Sequence, residues 1–178
     1  MLILENKQSD IEKWFTLYGD TIFKYFLLNI HEYQQAEDLT QETFVKAFKH
    51  YHSFKRESNP KTWLFSIAHN LMVDYLRKKR PIHLLQEILN SKQDDSPLPS
   101  DIVQMRESEE NLYKTLTKLK QSYREVIFLR KMKEFSIKET AEILNWSESK
   151  VKSTLSRAIV LLKKALVKEG DDYEQTIR

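Results

Sequence analysis

The chain has 178 residues, with 29 Lys and Arg against 26 Asp and Glu, and it contains no cysteine. Disulfides and thiolate metal sites are therefore excluded, and only two glycines and four prolines leave few turn signals, so helices are favoured. No apolar run reaches the roughly 20 residues of a membrane span, and MLILENKQSD lacks the basic start and full apolar core of a signal peptide, so the expected address is the cytoplasm.

Charge is distributed in blocks. Met1 to Arg80 holds 12 basic and 10 acidic residues, Pro81 to Glu110 holds 2 and 7, and Asn111 to Arg178 holds 15 and 9. A charge block is as readily a solvated face as a binding surface. Within the first block the pattern predicts four helices: Ser9 to Tyr18, Asp20 to Ile30, Tyr33 to His52, and one starting at the cap Asn59 and running to Lys79. Ile22, Phe23, Tyr25, Phe26 and Leu27 give the second a core position. Pro60 at the first position of the fourth costs nothing, because its missing N–H has no helical partner there, and Pro81 is expected to end that helix.

The third helix has two faces. Leu39, Thr43, Phe44, Ala47, Phe48 and Tyr51 form an apolar side, while Asp38, Glu42, Lys46 and Lys49 lie opposite with Gln41 at the edge. An ordinary solvated face with a Glu42–Lys46 pair accounts for this as well as a docking surface does. The loop and fourth helix mix bases with aromatics: Phe54, Lys55, Arg56, Ser58, Asn59, Lys61, Thr62 and Trp63 lead into His69, Asn70, Tyr75 and the run Arg77 to Arg80. Aromatics offer stacking platforms for unpaired bases, and Lys and Arg hold phosphates. Trp63, Ile67, Leu71 and Tyr75, spaced by four, also read as a core stripe.

SKQDDSPLPSD, Ser91 to Asp101, has two prolines, three aspartates and a single leucine, and reads as an extended linker. The expected organisation is all-α, with a domain over 1–80, an acidic proline-containing linker over 81–105 and a second domain over 106–178.

The second domain carries the sharpest pattern, FSIKETAEILNWSESKVKSTLSRAIVLLKK from Phe135 to Lys164. Ser136 and Glu139 form an S-x-x-E capping box that starts a helix, from which Ile137, Ala141 and Leu144 point inward. Asn145 tolerates the left-handed conformation of a tight turn, and Ser147 caps the next helix. Val151, Leu155, Ala158 and Leu162 then face inward, leaving Ser149, Lys150, Lys152, Ser153, Ser156 and Arg157 outward. This is a helix-turn-helix, whose second helix is shaped for a major groove. Lys152, Ser153, Ser156 and Arg157 are placed for base edges or nearby phosphates, and Lys150 for a phosphate. Val160 faces outward and suits packing or a partner. The five histidines are scattered, His50 and His52 stand at poor ligand spacing for a helix, and no phosphate loop or nucleophile elbow occurs; no catalytic, metal or cofactor site is expected.

Three stretches in order resemble the extracytoplasmic-function sigma factors of bacterial RNA polymerase. AEDLTQETFVKAF (Ala36 to Phe48) is similar to the family's core-polymerase-binding helix, SFKRESNPKTWLFSIAHNLMVDYLRKK (Ser53 to Lys79) to its segment for the start-proximal promoter element, and Leu119 to Lys164 to its domain for the upstream element. The resemblance implies core-polymerase contacts at Asp38, Gln41 and Glu42. It implies DNA contacts in a base-holding loop (Phe54, Lys55, Arg56, Ser58, Asn59), at Lys61 and on a melting helix (Thr62, Trp63, His69, Asn70, Arg77), and on the recognition helix at Lys150, Lys152, Ser153, Ser156 and Arg157. Pro60 stands where many members have an aromatic or other apolar residue, and Thr154 and Ile159 replace basic residues common there. Implied partners are core polymerase, promoter DNA and a membrane-anchored anti-sigma protein, with the linker in the polymerase's RNA-exit path; no small-molecule substrate or cofactor is implied, and the protein is expected not to be an enzyme. A homodimeric helix-turn-helix repressor, or an adaptor using the third helix alone, are the other classes open to these residues.

Overall fold

The computed structural model describes residues 2–54, 59–89 and 107–168. The chain divides into two compact units, residues 1–99 and 100–178. Among the described residues there is no strand, and no helix is long and apolar enough to cross a membrane.

The first unit contains α1 (Leu2–Ile30), α2 (Tyr33–Lys49) and α3 (Pro60–Leu89), with a 3₁₀ turn at Tyr51–Ser53. The three helices pack on one another. Two expected stops do not occur. The predicted break between Tyr18 and Asp20 is absent, and α1 runs straight through Gly19. A mid-helix glycine costs only about 1 kcal/mol against alanine, whereas the stripe Trp14, Ile22, Tyr25 and Phe26 is buried along that one helix, each large side chain contributing about 1.5–3 kcal/mol. Likewise α3 continues through Pro81, so position 80 falls inside a helix. Proline removes one backbone bond, and the helix-forming run after it, HLLQEIL, carries the helix on. The expected linker core, Ser91 to Asp101, lies outside the described residues.

Core residues come from every helix: Ile22, Tyr25, Phe26 and Leu28 of α1, Ala36, Leu39, Phe44 and Ala47 of α2, and Leu64, Phe65, Ala68, Leu71 and Met72 of α3. The stripe on α3 is thus centred one residue beyond the predicted Trp63–Ile67–Leu71–Tyr75 row, of which Leu71 alone is fully inside. Thr40 and Thr43 are buried on α2 because each hydroxyl donates to a carbonyl four residues back, Ala36 at 2.7 Å and Leu39 at 2.7 Å. Glu32, in the turn before α2, pairs with Lys79 and accepts a 3.4 Å bond from the Tyr75 hydroxyl, tying that turn to α3.

The second unit contains α4 (Glu107–Thr117), α5 (Gln121–Ile127), a π-helical turn (Phe128–Met132), α6 (Ile137–Leu144) and α7 (Glu148–Lys168). Helices α4, α5 and α6 all pack on α7. Arg124 closes the α4–α5 turn by donating to the carbonyls of Thr117 at 2.9 Å and Leu119 at 2.8 Å. Burial works against its charge and lowers its pKa from the usual arginine value, with Glu125 and Tyr113 opposing that effect. Val151, Ala158, Leu162 and Leu166 form the buried face of α7.

Candidate nucleic-acid interface and a second polar face

The α6–turn–α7 unit is built by its caps. Ser136 Oγ accepts from the Glu139 N–H at 3.1 Å while the Glu139 carboxylate accepts from the Ser136 N–H at 2.8 Å, so the capping box is complete. Asn145 ends α6 at φ 54° and ψ 46°, in the left-handed region. The Trp146 N–H then donates back to the Ala141 carbonyl at 2.9 Å. Ser147 Oγ accepts from the Lys150 N–H at 3.2 Å and starts α7. Each predicted turn residue therefore fixes the angle between the two helices.

Ser149, Lys150, Lys152, Ser153, Ser156 and Arg157 are all exposed on α7. Positions 149, 152, 153, 156 and 157 follow helical spacing and make one stripe. At about 1.5 Å per residue it is roughly 12 Å long, close to the width of a major groove, about 12 Å. Ser153 organises it: its hydroxyl donates to the Lys150 carbonyl at 3.2 Å, and Arg157 reaches back to the Ser153 carbonyl at 3.2 Å and hydroxyl at 3.4 Å. Thr154 is buried, so its replacement of a basic residue serves the core, while Val160 is 51% exposed at the end of the same stripe.

In the first unit α2 carries the second face. Asp38, Gln41 and Glu42 are exposed together. Asp38 accepts from Gln34 Nε2 at 3.3 Å, and Glu42 pairs loosely with Lys46 at 3.7 Å, both in open solvent. The sequence reading passed over Val45, 49% exposed between these residues. Its spacing, three and four residues after Glu42 and Gln41, was the available signal.

The residues expected to hold DNA in this unit do not share one environment. Phe54 and Trp63 pack into an aromatic cluster, 5.1 Å apart and 5.2 and 6.1 Å from Trp14, with Tyr51 stacked on Trp14 at 5.9 Å. Asn59 caps α3, accepting from the Lys61 N–H at 3.0 Å. Asn70 and Arg77 are exposed along α3, Arg77 bonding Asp74 at 3.0 Å. Thr62 and His69, expected on the DNA-facing surface, are instead buried at 1% and 8% exposure. They fall on the stripe of Phe65 and Met72, and His69 Nδ1 lies 3.2 Å from the Tyr25 hydroxyl. Their helical phase places them in the core. Lys55, Arg56 and Ser58 lie outside the described residues.

A capped helix-turn-helix with a hydroxyl-and-base stripe, joined to a separate helical unit with an acidic face, defines a modular DNA-reading transcription protein. Residues 15–82 match the family model for sigma-70 region 2, and residues 109–162 match that for sigma-70, region 4. The chain is 34% identical to RNA polymerase sigma factor YlaC of Bacillus subtilis, covering 93% of this chain and 96% of that one. It is 35% identical to ECF RNA polymerase sigma factor SigM of the same organism, over 92% and 99%. Among solved structures it is similar to the sigma factor RpoE in complex with the anti-sigma factor NepR from Bartonella quintana, at a TM-score of 0.73 and 26% identity, covering 89% of this chain and 97% of that one. The fold is shared with CnrH, solved with the cytosolic domain of CnrY, at a TM-score of 0.66 and 23% identity, covering 94% and 96%. The chain belongs to the extracytoplasmic-function sigma factors of the sigma-70 family, which direct core RNA polymerase to promoters.

Proposed function

We propose that the two units divide promoter recognition between them. Residues 1–80 bind core polymerase and read and open the start-proximal element, and residues 106–178 read the upstream element through α7. Asp38, Gln41 and Glu42, with Val45 among them, meet the polymerase. Phe54, Asn59, Lys61, Trp63, Asn70 and Arg77 face the opening strand together with loop residues Lys55, Arg56 and Ser58. Extruding a base costs a few kcal/mol, which contacts at the loop must offset. Thr62 and His69 act from within as core residues holding α3 in register. Lys152, Ser153, Ser156 and Arg157 meet base edges or phosphates, and Lys150 a phosphate.

The polymerase supplies the chemistry; this chain works in the cytoplasm without a catalytic role of its own, under an anti-sigma protein of the kind seen with the related RpoE. The observation that carries the reading is the exposed stripe of α7 on a turn with every cap made. Run-off transcription with purified core enzyme on a promoter library is the test. Transcripts that depend on this chain and on two spaced elements are expected. Binding of a palindrome without polymerase would instead assign a homodimeric repressor.

A further inference from the structure

We propose that Trp146 is a positioning residue for promoter binding, its indole face holding the Lys150 ammonium at the edge of the recognition helix toward a backbone phosphate. The inference rests on the reading of Lys150 as a phosphate contact and extends it to an uncharged residue outside that helix.

Lys150 Nζ lies 4.2 Å from the centroid of the Trp146 ring. Lys150 is exposed and Trp146 half-buried, so the pair sits at the surface. Among the described residues no carboxylate pairs with Lys150. The ring is therefore what holds an otherwise mobile four-carbon stem, whose free rotamers would be lost on binding. It occupies one side of the ammonium and leaves N–H donors for an acceptor.

The mount is rigid. Asn145 in its left-handed conformation and the 2.9 Å bond from the Trp146 N–H to Ala141 fix the backbone under the ring. The cap from Ser147 to the Lys150 N–H fixes the other partner on the same turn. Lys150 and Arg157 stand seven residues apart, two turns or roughly 10 Å, on one edge of the stripe. Arg157 is likewise held, on Ser153. These two cations of α7 are thus set in place before DNA arrives, Lys150 by a ring and Arg157 by a serine. A tryptophan that only filled space would show no dependence on Lys150.

The test uses the full chain with core polymerase on a duplex promoter, with affinity measured across a salt series for the wild type, W146F, W146L, K150M and W146L/K150M. K150M should bind about fivefold more weakly, with the salt slope reduced by about one. W146L should lose about threefold, the range of an exposed cation–π contact, and W146F should stay within twofold. In the K150M background W146L should add nothing. In the unaltered protein the Lys150 ε-methylene protons should be shifted upfield by the indole ring current, a readout independent of whether W146L folds fully. Equal losses from W146L with and without Lys150, or unshifted ε-methylene protons, overturn the positioning role while leaving the phosphate contact standing. Wild-type affinity and slope in K150M overturn the phosphate reading, and the positioning role with it.

Discussion

The angle between α6 and α7 depends on Asn145, and the cost of changing it can be worked out. Asn145 is exposed, and its side chain makes no hydrogen bond among the described residues. Truncation to alanine removes no packing and no bond; what changes is the ease of holding φ 54° and ψ 46°. For an ordinary L-residue the left-handed region costs about 1–2 kcal/mol, a penalty asparagine largely avoids. N145A should therefore destabilise the turn by about 1 kcal/mol, and N145G should be close to the wild type, since glycine enters this region freely. The amide of Trp146 reports the turn directly, because its N–H bonds Ala141 across it. Hydrogen exchange at that amide should speed up about five-fold in N145A, the factor that 1 kcal/mol represents, and should barely change in N145G. If N145A protects the Trp146 amide as well as the wild type does, the turn stores no such conformational demand and the argument fails.

Four further outcomes are expected. D38K/E42K should weaken binding to core polymerase at least tenfold in a fluorescence titration while leaving the melting temperature within a few degrees, because the exposed contacts of these residues contribute at most about 1 kcal/mol. R157A should leave stability unchanged and reduce holoenzyme affinity for an intact upstream element by about 1–3 kcal/mol, the value of a base contact. Burial pushes the Tyr113 phenol well above the usual tyrosine range, against a smaller pull from Arg124, and the hydroxyl has no partner among the described residues. Because the folded pKa lies above the unfolded one of about 10, stability is intact below pH 10 and falls above it by up to about 1.4 kcal/mol per pH unit. Y113F should abolish that slope in denaturation at pH 9 and 11, and raise stability by about 1 kcal/mol by removing an unsatisfied buried hydroxyl. G19A should raise the melting temperature, since its Cβ would meet the Phe15 ring at an ordinary 3.7 Å and alanine is favoured by about 1 kcal/mol in a helix.

What the sequence revealed follows the range over which each signal acts. The caps at Ser136, Asn145 and Ser147 and the inward positions of α7 are local, set by residues within four of each other, and the structure carries all three caps. The helix break at Gly19 was misplaced because its cost is local while the packing that outweighs it is not, and the one at Pro81 because the helix-forming run after it carries the helix on. Thr62 and His69 were assigned by their positions in a stretch resembling the family's melting helix; the phase of α3, fixed by Phe65 and Met72 against the other helices, turns both inward. Val45 was passed over altogether, although its phase matches Asp38 and Glu42 and leaves it exposed. Position in a motif proposed Thr62 and His69, and helical phase decided which residues reach the surface.

That phase also bounds how α7 works. With Thr154 buried and Ile159 half-buried, the stripe and its edge offer Lys150, Lys152 and Arg157 as cations, among serines. Three phosphate contacts would give a salt slope of only about −2.7, the signature of weak binding for a DNA reader alone. Serines add readout but little attraction at a distance. In the proposed arrangement, held by core polymerase beside a second DNA-contacting unit, the same helix would meet its element at an effective concentration in the millimolar range, and the two modest affinities would multiply. Preset cations suit this arrangement, because a helix with few charges gains most when each is already aimed. On the proposed division of roles, the weak basic face of α7 would be a means of selectivity: free sigma factor would be kept off scattered sites, and the upstream element read only within the holoenzyme.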